Sequence, residues 1–392
     1  MKFNEYNEGE LEVSAEESEN RYETSAHEGE DGFSSIAIIA AILLLAIITS
    51  VFFSVFTEES IPAWNTGSST TTTSKPTTTT TTTTTSTSGK PNKPDNPETK
   101  YPYATVTDKT QFVATAGGTG LYRLDLNSDH AILVNLSDMS TVAHKYADEL
   151  IYPASMTKVM TVVTALDLIE DIKDIYIFDP AVLSVLEGTE STAEMKYLYN
   201  EYGSTTYTVK DLLYGISYKS GADSVVCLLD YLNLSVSEFA ELMNQKAKEI
   251  GMTNTNFGGA IGMDSENNQT TCRDIAALMA YAMENPLCQE LFGGTAYRLD
   301  YIEMTYYNST LHKTLTNMGT TPDKVLGSKY TLLAAKSGLE TNAGYCLVSY
   351  IKNNETGECF VLVTAKADKS VTYPNNRYTI LDMQAIFSEC QP

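Results

Sequence analysis

The chain is poor in the residues that metal and redox chemistry rely on. Four histidines, His27, His130, His144 and His312, are spread over 392 residues with no ligand spacing such as H-E-x-x-H. Six cysteines (Cys227, Cys272, Cys288, Cys346, Cys359 and Cys390) include no Cys-x-x-Cys pair, so no metal or other cofactor is expected. An oxidising compartment would permit disulfides. Cys227 and Cys346, however, lie in apolar runs, where a buried free thiol is the expectation. Positive charge is also scarce. With 26 Lys plus Arg against 50 Asp plus Glu and a net charge of -24, nucleic acid is excluded as a natural partner.

The positive features begin with a division of the chain into four parts. Residues 1–33 carry eleven acidic side chains against Lys2 and Arg21 and have little apolar content, which reads as a disordered acidic tail. Within residues 34–56, Ile36 to Phe56 run 21 residues without a charge. At ~1.5 Å per residue that is about 32 Å, enough for one helix to cross a bilayer core of ~30 Å. A cleaved signal peptide is the rival reading, but neither a short basic leader nor a small-residue cleavage site is present, so an uncleaved anchor is expected. Residues 57–103 hold threonine tracts, with Pro76, Pro91, Pro94 and Pro97, a composition that forms no packed core and reads as a stalk. As a flexible coil its first 44 residues would average about 35 to 40 Å end to end.

Residues 104–392 are long enough for a large core. Ala131 to Leu136 reads as a short strand, and Ser155 to Glu170 as a helix apolar on nearly every face and therefore buried. Thr208-Val209-Lys210-Asp211 looks like a capping box opening a helix to about Tyr218. Further helices are expected near Asp223–Leu232, Val236–Ile250 (closed by Gly251), Thr271–Glu284 and Asn376–Phe387. Ala343–Ile351 and Glu358–Ala367, around Asn353-Asn354-Glu355-Thr356-Gly357, give a hairpin signal. Strands at both ends enclosing a helical middle imply an α/β (α+β) domain, in which helices flank an antiparallel sheet and a helical subdomain adjoins it.

The run Tyr152-Pro153-Ala154-Ser155-Met156-Thr157-Lys158 sets a serine three residues ahead of a lysine where the buried helix begins. Residues at i and i+3 share a helical face, so the Lys158 amine can reach the Ser155 hydroxyl. Ser220-Gly221-Ala222 follows about sixty residues on, and Lys336-Ser337-Gly338 later heads Leu339-Glu340-Thr341-Asn342-Ala343-Gly344. With Gly251 to Phe257 and Gly262-Met263-Asp264, these segments resemble the penicillin-recognising serine hydrolases. Among them the chain is most similar to the D-alanyl-D-alanine carboxypeptidases of the low-molecular-weight penicillin-binding proteins. Their pattern is S-x-x-K, S-x-N and K-T/S-G; Ala222 stands where the asparagine is expected.

The resemblance implies a β-lactamase/transpeptidase-like fold with the active site between sheet and helices. It implies Ser155 as nucleophile, Lys158 as its base and Ser220 as proton relay to the leaving amine. Lys336 and Ser337 would bind the terminal carboxylate of a D-alanyl-D-alanine stem peptide, and Lys336 would supply the charge that lowers the Lys158 pKa. Gly338 completes the motif, and the Ser155 and Leu339 N–H groups would form the oxyanion hole. Taken singly, Ser220-Gly221 reads better as a plain helix-to-helix turn and Lys336 as a solvated lysine at a strand edge; taken together, the motifs favour the catalytic reading. β-Lactams are implied as acylating inhibitors. The same resemblance puts the C-terminal domain outside a bacterial cell, with the acidic tail in the cytoplasm. Two other readings stand beside this one: a non-catalytic, muropeptide-binding wall sensor, favoured by Ala222, and a β-lactamase. Against the last, no Glu-x-x-x-Asn or Glu-x-x-Leu-Asn lies between Ser220 and Lys336.

Overall fold

The computed structural model describes residues 100–187, 194–311, 326–367 and 378–392. The acidic tail, the apolar segment and nearly all of the stalk therefore lie outside the described residues, as does the expected helix start at Asn376. Among the described residues no helix is long and apolar enough to cross a membrane.

Alternation along a strand sends successive side chains to opposite faces, and strand β1 (Ser128–Asn135) uses both faces for burial. Ile132 and Val134 enter one apolar core while Ala131 and Leu133 enter a second. Strand β5 (Cys359–Ala367) does the same beside it, with Val361 and Val363 on one side and Phe360 and Leu362 on the other. These continuous apolar runs form the centre of a six-stranded sheet. Its order is Thr119–Gly120, β2 (Ser140–Lys145), β1, β5, β4 (Gly344–Asn353) and β3 (Tyr330–Glu340). The labelled strands pair antiparallel, as expected; the two-residue edge piece Thr119–Gly120 is parallel to β2.

The first core lies between the sheet and the helical part. Helix α1 (Thr157–Leu166) has all ten residues buried. Around it pack α3 (Val209–Tyr218), α5 (Val236–Ile250) and α6 (Cys272–Ala282), while α4 (Ala222–Tyr231) packs on α3. The capping box closes as expected, the Thr208 hydroxyl accepting from Asp211 N and the Asp211 carboxylate from Thr208 N. Gly251 ends α5 at φ +93°, a left-handed turn that a side chain would strain. The second core is covered by helix α8 (Tyr378–Cys390), which lays Ile380, Met383, Ile386 and Phe387 on the sheet. Asp382 pins that helix to β1, accepting from the backbone of Asn127 and Ser128 at 2.8 Å each.

Two helices were not expected, α2 (Glu194–Tyr202) and α7 (Pro286–Gly293). The expected helix from Ser155 to Glu170 is also shorter than its apolar run. Ala154 to Met156 form a 3-10 turn, and Asp167 ends α1.

Candidate active site

Pro153 and Ala154 decide how Ser155 is presented. Ala154 is held at φ +47°, in the left-handed region that a Cβ disfavours, and it opens the 3-10 turn Ala154–Met156 ahead of α1. The turn is packed from two sides. A Cβ on Gly262 (φ +88°) would stand 2.1 Å from the Ala154 carbonyl, and one on Gly338 would stand 2.9 Å from Ala154 Cβ and 3.1 Å from Ser155 N. Only glycine lets both segments approach this closely.

Lys158 follows on the first turn of α1, and its Nζ lies 3.0 Å from Ser155 Oγ and 2.7 Å from the Ile261 carbonyl oxygen, to which it donates. Burial pushes the Lys158 amine down to about 8, while the charges of Glu340 and Asp223 pull it back up. Ser220 sits between α3 and α4 at φ +58°. Lys336, from the edge strand β3, donates from Nζ to Ser220 Oγ at 2.9 Å and to the Ser337 carbonyl at 2.9 Å. Burial, followed by repulsion from Lys158, pushes Lys336 well below its ordinary value. The solvated-lysine reading of Lys336 therefore fails, since the side chain is 1 % exposed. Two contacts, Ser155–Lys158 and Ser220–Lys336, thus draw on three separate stretches of sequence, and the repulsion between the two lysines sets the pairs within electrostatic reach of each other.

The matching family is described as D-alanyl-D-alanine carboxypeptidase, and the match covers residues 116–367. The chain belongs to this family. Among its relatives, DacF of Bacillus subtilis is 31% identical over 150 residues, 38% of this chain and 37% of the relative. DacC of Escherichia coli is 27% identical over 240 residues, 61% of this chain and 56% of the relative. The chain thus spans between a third and somewhat over half of the length of these curated relatives. Solved structures show the same fold: the Streptomyces K15 DD-transpeptidase at TM-score 0.56 and 21% identity, over 68% of this chain and 98% of that one. Penicillin-binding protein D2 from Listeria monocytogenes, solved in a cefotaxime-bound form, matches at TM-score 0.54 and 19% identity, over 69% and 99%.

Within this D-alanyl-D-alanine carboxypeptidase family member, Ala222 is buried at the first position of α4. The neighbouring Asp223 does not stand in for the family amide. Its carboxylate accepts from Met195 N at 2.6 Å, Lys196 N at 3.2 Å and Ser224 N at 2.8 Å, which ties the start of α2 to α4. Burial raises it to about 6 against those hydrogen bonds. A Cβ on Gly221 would meet this carboxylate at 3.0 Å, so the glycine between Ser220 and Ala222 makes room for it.

Ser337 and Leu339 face outward from β3, half-buried and exposed respectively, whereas Lys336 and Gly338 are buried. Two contributors carry no motif. The Ile261 carbonyl reaches Lys158 from 103 residues away. The Thr310 hydroxyl lies 3.0 Å from Ser337 Oγ, and Asn308 carries that threonine on a capped turn. The thiols of Cys227, Cys272, Cys288 and Cys346 are buried and unbridged, as expected for Cys227 and Cys346.

Proposed function

We propose that this protein is a membrane-anchored serine-type D-alanyl-D-alanine carboxypeptidase that removes the terminal D-alanine of peptidoglycan stem peptides. The observation that carries the reading is the 3.0 Å approach of the buried Lys158 amine to the Ser155 hydroxyl, beside the 2.9 Å contact of Lys336 with Ser220. A serine hydroxyl needs a neighbouring base, and a lysine is one only when neutral. Burial moves Lys158 toward that condition, down to about 8.

In this reading Ser155 Oγ attacks the carbonyl carbon of the penultimate D-alanine while its proton passes to Lys158. Collapse of the tetrahedral intermediate breaks the peptide bond, and the departing amine takes the proton back through Ser220. The resulting ester on Ser155 is hydrolysed by water. The Ser155 and Leu339 N–H groups would face the oxyanion, a term usually worth about 10²–10³ in rate per donor. The terminal carboxylate would lie against Lys336 and Ser337. Its negative charge favours protonated Lys336, and that positive charge in turn favours neutral Lys158. Substrate binding would thus prepare the base.

The apolar run from Ile36 to Phe56 supports an anchor, with the stalk and domain outside the cell and the acidic tail inside. The test is mass spectrometry of the purified protein after exposure to a penicillin, with Ser155→Ala alongside. A stable adduct on the wild type and none on the variant is expected, together with release of D-alanine by the wild type alone. Labelling that persists in Ser155→Ala refutes the nucleophile, and rapid loss of the adduct points to a β-lactamase. An unlabelled, inactive wild type turns the reading to a binding protein. Protease added to intact cells should remove the domain and spare the tail; a soluble mature form starting near residue 60 would mark a cleaved signal.

A further inference from the structure

We propose that Asp264 is a positioning residue for the oxyanion hole, buckling the tip of the β3–β4 hairpin to the loop behind Lys158. This rests on the carboxypeptidase reading above and gives a role to the Gly262-Met263-Asp264 segment, which lies outside the three catalytic motifs.

The two N–H groups assigned to the hole belong to different elements. Ser155 stands on the turn that leads into α1, and Leu339 on β3, the edge strand of the sheet. Their separation is therefore not set locally and has to be fixed from both directions. Contact fixes the near limit, since a Cβ on Gly338 would already stand 3.1 Å from Ser155 N. Contact does little to hold the strand in, because each pair of touching atoms gains only about 0.1–0.2 kcal/mol. Within the sheet β3 is paired with β4 alone. A far limit needs a directional bond between the strand and the Ser155 side.

The loop from Ala260 to Asp264 supplies that bond. It is fastened to α1 at two carbonyls, Thr161 Oγ1 donating to Ala260 O at 2.6 Å and Lys158 Nζ to Ile261 O at 2.7 Å. Gly262 then passes so close to the Ser155 turn that a Cβ would stand 2.1 Å from the Ala154 carbonyl oxygen and 3.0 Å from Thr157 Cβ. Two residues on, Asp264 Oδ2 accepts from Asn342 N at 2.5 Å. Asn342 lies in the turn between β3 and β4, just past Leu339 and Glu340 at the end of β3. The loop is braced behind this bond by the buried Asn268, whose Nδ2 donates to the Met263 carbonyl at 3.2 Å. A carboxylate acceptor makes such a bond roughly twice as strong as one between neutral groups. One short path thus runs from α1 through Asp264 to the strand that carries Leu339.

The test uses the full-length protein in detergent and compares Asp264→Ala, Asp264→Leu and Asp264→Asn. First-turnover release of lactate is followed with two substrates, a depsipeptide ending in D-alanyl-D-lactate and its thionoester twin, in which sulfur replaces the carbonyl oxygen at the scissile bond. A hole shaped for oxygen favours the oxygen ester. For Asp264→Ala and Asp264→Leu the saturating rate with that ester should fall about 10- to 100-fold, part of the roughly 10²–10³ that a donor removed outright costs. The half-saturating concentration and the thionoester rate should stay within about threefold, because the loss is confined to the transition state of the oxygen substrate. Asp264→Asn keeps an acceptor for Asn342 N and should retain the wild-type preference for oxygen. Two acceptor-free variants of different size, each checked by a thermal melt, guard against one of them failing to fold. Equal losses for the two substrates in a folded acceptor-free variant, or no loss at all, overturn the proposal while leaving the carboxypeptidase reading intact. A wild type that neither acylates nor turns over peptide fails the carboxypeptidase reading itself, and this proposal with it.

Discussion

Replacing Gly338 by alanine tests how tightly the edge strand is seated against the Ser155 turn. The added methyl would stand 2.9 Å from Ala154 Cβ and 3.1 Å from both the Pro153 carbonyl oxygen and Ser155 N. Carbon atoms rest at about 3.5–4.0 Å, so β3 and the turn would have to part by about 0.6 to 1 Å. All three opposing atoms belong to a backbone or to a Cβ, and none can swing aside. Overpacking of this kind costs about 1 to 3 kcal/mol, which for a domain of this size lowers Tm by about 2 to 12 °C. The larger effect falls on the chemistry, because Lys336 and Ser337 travel with the strand while Ser155 and Lys158 stay with α1. A misplacement of about 1 Å is worth roughly 10² in rate. The assay is the second-order rate of Ser155 acylation by a fluorescent penicillin, read beside a thermal melt. An acylation rate within about threefold of wild type, with Tm unchanged, would refute the reasoning that β3 is seated at contact distance.

Acylation should depend on pH through Lys158: with the amine pushed down to about 8 and active only when neutral, the rate rises with pH to a plateau above that value and falls about tenfold per unit below it. A flat profile from pH 6 to 9 counts against Lys158 as the base. Ala222→Asn should raise D-alanine release by about tenfold by restoring the asparagine of the S-x-N pattern; unchanged turnover in a folded variant means that the site has compensated by other means. Asp223→Ala leaves the N–H groups of Met195 and Lys196 without their carboxylate, a loss of about 1 to 3 kcal/mol. Limited proteolysis should then cut at α2 well before the sheet, and a digestion pattern identical to wild type would argue against that tie.

What was legible in the sequence is what is encoded locally. Helix α5 announces both its ends, through Ser235 paired with Glu238 and through Gly251, and its bounds of Val236 and Ile250 agree with the expectation. Ser155 and Lys158 were legible for the same reason, since one turn of chain joins them. Helix α7 carries a usable local signal: Asn285 caps it, accepting from Leu287 N at 2.9 Å, and Pro286 opens it. Helix α2 is marked at its end by Gly203, at φ +63° with its N–H donating to the Tyr199 carbonyl at 2.9 Å, while its start is held by Asp223 from α4. Strand β3 is an edge strand whose alternation is only partial, so the fate of Lys336 was decided by Ser220, 116 residues earlier. The Ile261 carbonyl and the Thr310 hydroxyl were invisible for a related reason. A backbone oxygen has no letter of its own, and a threonine hydroxyl gains meaning only from the serine set opposite it.

The strand order has a consequence for how the domain comes into being. Strand β1, made early, lies between β2 and β5, and β5 is completed only at Ala367. While the chain is being synthesised, a β1–β2 ribbon therefore waits with one long edge unpaired for more than 220 further residues, and its second apolar face waits longer still for α8. Pairing across such a separation makes closure slow, because the loop must be ordered before the contact rewards it. Lys336 comes with the same late-arriving segment, so the nascent protein has its serine and first lysine long before it can have a site. The exposed edge of that ribbon is where misassembly would begin, and removing residues 359–392 should leave an aggregating chain in place of a smaller folded one.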